Sequence, residues 1–103
     1  MRVLSYCGTL AILACTSTVA IGANPDNGSI LAKRWCTGCH VVSADQAQGT
    51  DIAPSFASIA AEPNFNVEKI ASFLLEPHPK MPNMALSPEE ARDIGAFIAE
   101  QPR

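Results

Sequence analysis

Apolar residues recur at helical spacing in four stretches of this chain, and no stretch alternates apolar with polar as a strand would, so the pattern predicts an all-α fold. The first stretch runs from Asn24 to Trp35. Asn24 is placed to cap it, Pro25 suits the first helical position, and Ile30, Leu31 and Trp35 recur along it. Gly28 sits inside, where glycine costs about 1 kcal/mol against alanine and so needs a reason. The second is short: Pro54 opens it, and Phe56, Ile59 and Ala60 are its apolar positions. Asn66 to Glu76 makes a fuller helix with Val67, Ile70, Phe73 and Leu74 on one stripe and Pro77 stopping it. The fourth has the clearest start, Ser87-Pro88-Glu89-Glu90, with a serine cap, proline at the first position and glutamate completing a capping box. It presents Ala91, Ile94, Phe97 and Ile98 on one face and ends before Pro102. Between the helices, Val41 to Asp51 is a polar surface loop without a motif, and PHPKMPNM (77–84) is a stiff, donor-poor loop able to hold a side chain in place.

Ahead of these elements the layout changes. Arg2 precedes an apolar run containing Val3, Leu4 and Leu10 to Ala14, and small residues follow toward Ala23, as in a secretory signal peptide. The run is too short, and too broken by Ser5, Gly8 and Thr9, to act as a membrane anchor. Ala20-Ile21-Gly22 and Ile21-Gly22-Ala23 each fit the small-x-small cleavage pattern in part, which places the cut near Ala23. The chain of 103 residues then divides into a leader, 1–23, and one domain, 24–103. A rival reading takes Ile12-Leu13-Ala14-Cys15 as a lipoprotein processing site, which would tether the protein to a membrane through Cys15.

Loss of the leader removes Arg2 from seven bases and nothing from ten acids, leaving a net charge of −4. Such a surface argues against nucleic acid and anionic lipid as partners and for a basic or mixed docking face. About 80 residues bury only a marginal core unless something staples it. Four cysteines in an exported chain would suggest disulfides, but Cys7 and Cys15 fall in the leader.

The remaining two stand in Cys36-Thr37-Gly38-Cys39-His40, the attachment signature of a c-type haem. Residues three apart on a helical turn face the same way, so both sulfurs can add to the vinyl groups on one porphyrin edge. His40 is then carried across the ring face, where its imidazole can bond the iron. A thiol–disulfide site would want a preceding strand and a βαβ setting, which the chain lacks. A zinc site of Cys36, Cys39, His40 and His78 would be crowded at the adjacent Cys39 and His40.

With CTGCH, APSFASIAA (53–61) and PHPKMPNMALSPEEARDIGAFIAE (77–100) taken together, the chain from about residue 24 resembles the small bacterial class I cytochromes c. The resemblance implies about four helices around one haem c, bound covalently through Cys36 and Cys39, with the N- and C-terminal helices packed together. It implies that the Pro54 carbonyl accepts the second ring N–H of His40, and that Gly28 lets Phe97 of the last helix approach closely. His78, Met81 and Met84 are the candidates for the second axial ligand. The family's methionine precedes a proline and lies about 13 residues before the first large apolar residue of the last helix, and Met81, with Pro82 next and Ile94 thirteen residues on, fits.

With His40 and Met81 both on the iron no position is vacant, and the function implied is periplasmic electron transfer by a monomer between redox protein partners rather than enzymatic turnover. The alternative is a haem subunit held in a larger dehydrogenase or oxidase complex. Lys80, beside the methionine loop, is a candidate docking residue or a solvated lysine.

Overall fold

The structure, a computed structural model, describes residues 11–15, 22–50, 52–76 and 80–102. Most of residues 1–23 and His78 lie outside the described residues; within 1–23, residues 11–15 and 22–23 are exposed and non-helical. Four helices follow, α1 (Pro25–Trp35), α2 (Phe56–Ala60), α3 (Val67–Leu75) and α4 (Pro88–Ala99), with no strand among the described residues. No described helix is long and apolar enough to cross a membrane.

Each start is set by a side-chain cap. Asn24 Oδ1 accepts from the amides of Asp26 and Asn27, Ser55 Oγ from Ser58, and Asn66 Oδ1 from Glu68 and Lys69. At α4 the capping box closes from both sides: Glu90 N donates to Ser87 Oγ at 3.1 Å and Ser87 N to Glu90 Oε1 at 2.9 Å. These bonds satisfy amide donors that a helix start leaves without intrahelical partners.

Helix α4 is the hub, packing on α1, α3 and α2. Its Ala91, Ile94, Phe97 and Ile98 are all buried, as the sequence pattern requires, and Ile94 is fully enclosed. Ile94, Phe97 and Ile98 join Leu31, Ala32, Cys36, Val42, Phe56 and Ala60 in one core. On α1 the buried face is Gly28, Leu31 and Ala32, whereas Ile30 is 59% exposed. At 3.6 residues per turn Ile30 points roughly 200° away from Gly28, so it lies off the buried face although it recurs with Leu31 and Trp35 along the helix. On α3 Ala71 is the buried residue, and Phe73 is 51% exposed because it stands on a cavity wall rather than in the core.

Gly28 does allow a close approach, but its nearest neighbour is not the Phe97 ring. A Cβ there would lie 1.9 Å from the carbonyl oxygen of Asp93 and 2.9 Å from Ile94 N, so α1 and α4 meet backbone to backbone. Gly95 does the same for α3, since a Cβ would come within 3.1 Å of the Val67 carbonyl oxygen. Gly28 on α1 and Gly95 on α4 thus let three helices converge, at a separation that a side chain would forbid at Gly28 and crowd at Gly95.

Candidate functional site

Helix α1 ends at Trp35, and the chain continues as a tight turn. Cys36 N donates to Ala32 O (2.8 Å), Cys39 N to Cys36 O (3.2 Å) and His40 N to Cys36 O (2.8 Å). Cys36 and Cys39 therefore sit one turn apart while His40 begins the exit. Cys36 is buried, Cys39 is exposed, and both line one cavity with His40.

That cavity has a volume of about 820 Å³, within the roughly 300–1,000 Å³ of sites that enclose a cofactor-sized molecule. Its wall is apolar almost throughout, with Trp35, Ile59 and Phe73 on the helices and Met81, Pro82 and Met84 from the loop before α4. A second cavity of about 310 Å³ shares Cys36, His40, Pro54, Ile59, Phe73 and Met81 and reaches Ile94 and Ile98 of α4. Met81 lines both and is half-buried; Met84 lines the larger and is 9% exposed.

The imidazole of His40 is held in place. Its Nδ1 lies 2.6 Å from the carbonyl oxygen of Pro54. A carbonyl only accepts, so this contact puts the proton on Nδ1 and leaves Nε2 with a free lone pair. The ring also stacks at a tilt on Phe56, centroids 5.5 Å apart, and Phe56 meets Phe97 edge-on at 6.1 Å. Phe97 thus supports the histidine through Phe56.

The loop after the turn, which carries no motif in the sequence, is what braces it. Gln46 Nε2 donates to the carbonyls of His40 (2.7 Å), Gln48 (2.8 Å) and Thr37 (3.3 Å), while its Oε1 accepts from Val42 N (3.0 Å). Thr50 bonds Cys39 O through its backbone N–H (2.8 Å) and its hydroxyl (3.2 Å). Gly49 lies so close that a Cβ would be 2.8 Å from Cys39 O. Finally, Phe56 N donates to Val41 O (2.9 Å), tying α2 to the segment that leaves the histidine. The sequence carries no signal for this brace, because side-chain bonds to backbone leave no periodicity.

Two rival chemistries lose support. Burial pushes the Cys36 thiol up to about 11, whereas reactive thiols are shifted down. Among the described residues no three His, Cys, Asp or Glu side chains gather to hold a metal ion. An apolar chamber with two sulfurs and one oriented imidazole on its wall fits a porphyrin held by thioether links, for which a neutral, desolvated sulfur is suited.

An apolar chamber of this kind in an all-helical fold defines a c-type cytochrome. The chain is 52% identical over 98 residues, 95% of its own length and 93% of the relative's, to cytochrome c-552 of Bradyrhizobium diazoefficiens. It belongs to the small class I cytochromes c, electron carriers rather than enzymes, and holds one haem c covalently through Cys36 and Cys39. No family model matches the chain, and no solved structure matches it.

Proposed function

We propose that this chain is an exported, periplasmic electron carrier in which His40 and Met81 would hold the haem iron and the Pro54 carbonyl fixes the imidazole. The observation that carries the reading is the 2.6 Å contact of His40 Nδ1 with Pro54 O on the wall of a cavity that Met81 also lines. Haem c supplies one-electron chemistry, its iron passing between ferric and ferrous states. The protein's residues do the rest. Pro54 holds the Nδ1 proton, which keeps Nε2 available and strengthens it as a donor. Met81 offers a soft, neutral sulfur, which favours the reduced metal. Ile59, Phe73 and Met84 keep water from the cavity, and an apolar wall disfavours the additional charge of the oxidised state.

Residues 1–23 serve as the leader, cleaved on export, and the acidic mature surface favours partners with basic or mixed docking faces. The test is the optical spectrum, oxidised and reduced, of the protein exported from a host with haem-attachment machinery. Covalent haem with the weak sulfur-to-iron band of the ferric protein is expected. The band should vanish in Met81→Ala and survive in Met84→Ala. A wild type lacking the band, or one whose ferrous form rapidly binds carbon monoxide, would remove Met81 from the iron.

A further inference from the structure

The backbone N–H of Asn24 donates to Asp93 Oδ1 at 2.7 Å, and the other carboxylate oxygen of Asp93 accepts from Asn27 Nδ2 at 2.8 Å. Both oxygens of an α4 aspartate are thus spent on the start of α1, sixty-nine residues away in sequence. Asn24 is also the N-cap, its Oδ1 taking the amides of Asp26 and Asn27. Immediately before it Gly22 and Ala23 are exposed and non-helical, and nothing lies within 4 Å of where a Gly22 Cβ would be.

We propose that the leader is cut at the Ala23–Asn24 bond and that Asp93 is the seat of the new terminus, so that processing converts a neutral amide bond into an ion pair locking α1 onto α4. This rests on the export reading above. Water adds across the peptide bond, catalysed by a leader endopeptidase selective for small side chains, leaving a carboxylate on Ala23 and an α-ammonium on Asn24. Gly22 and Ala23, on the leaving side of that bond, are exposed and non-helical. A cut beyond Asn24 would remove the cap and the Asp93 contact together. A cut upstream would leave an amide on Asp93.

Charge gives the arrangement its reason. The N-terminus of a helix carries partial positive charge and disfavours a cation. Cleavage before Asn24 creates a cation there. A carboxylate 2.7 Å from that nitrogen offsets the repulsion, and a charge-assisted hydrogen bond is stronger than the neutral N–H···O bond it replaces. The competing account is that Asp93 serves only as a cap from a neighbouring helix, indifferent to whether residue 23 is attached.

The experiment uses haem-loaded protein exported from the full precursor. Intact mass should show a chain beginning at Asn24 and carrying one haem. A second precursor, its junction rebuilt so that Gly22 and Ala23 remain, supplies the uncharged control, and Asp93→Asn is made in both. In urea, Asp93→Asn should weaken the folding equilibrium by a factor roughly 1.5 to 5 more in the chain beginning at Asn24, and added salt should erase that excess. Equal losses in the two backgrounds would reduce Asp93 to a cap and overturn the proposal. So would a haem-loaded exported protein that begins at another residue, although the carrier reading would then stand. A chain neither exported nor loaded with haem would sink both.

Discussion

The stretch from Cys36 to Pro54 and the stretch from Lys80 to Leu86 both contribute to the wall of one cavity, yet they are held largely by different forces. The first is fixed by directional bonds. Gln46 reaches three carbonyls and one amide, Thr50 bonds Cys39 twice, and Pro54 takes the histidine. The second relies on stiffness and burial: Pro82 restricts its backbone, Met84 and Leu86 pack inward, and Ala85 bends it at φ 49 while its amide bonds Asn83 Oδ1 at 3.1 Å. Hydrogen bonds specify position and angle, whereas apolar burial specifies little beyond contact. An imidazole must present one lone pair along one line. A flexible thioether on three rotatable bonds tolerates a looser mount.

That contrast can be broken. If the methionine side is held by burial, Met84→Ala should cost about 2–5 kcal/mol in urea unfolding of the haem protein, the usual penalty for emptying a buried methionine site. A loss below about 1 kcal/mol would mean that the loop is held some other way. On the histidine side Gln46→Glu turns a shared donor into an acceptor facing the carbonyls of Thr37, His40 and Gln48, and should cost about 1–3 kcal/mol. Because the turn itself is disturbed, the yield of covalent haem should fall too, as read by haem absorbance per polypeptide. Gly49→Ala should cost about 1–3 kcal/mol, since the methyl group meets backbone at 2.8–3.0 Å rather than a yielding side chain. The smallest effect is a gain. Ala85→Gly relieves the left-handed backbone, worth about 1–2 kcal/mol for alanine, against roughly 0.5–1 kcal/mol of glycine entropy, so the unfolding midpoint should rise slightly.

The contrast also explains what could be read from the sequence. Helix α4 was legible down to its capping box because cap, proline and apolar stripe are all local signals. The motif Cys36 to His40 was legible because its spacing is the chemistry. The place of Pro54 beside His40 came from family resemblance, since no spacing rule joins residues fourteen apart through a carbonyl. Gln46, Gly49 and Thr50 read from the sequence only as polar surface loop. Side-chain bonds to backbone leave no periodicity, and a glycine excluded by a neighbouring carbonyl looks like any loop glycine. Gly28 was flagged by its cost in a helix, but its neighbour was misjudged: the approach to Asp93 is between two backbones, and backbone carries no sequence signal.

Trp35 is the chain's one tryptophan, and it stands on the cavity wall next to Cys36. Porphyrin absorbs where indole emits, so in the loaded protein this ring is a dark lamp. Because the pigment is tied to the adjacent Cys36, that darkness outlasts any opening of the site. The molecule therefore carries its own gauge of loading: indole emission counts the chains that never received haem, readable without a label.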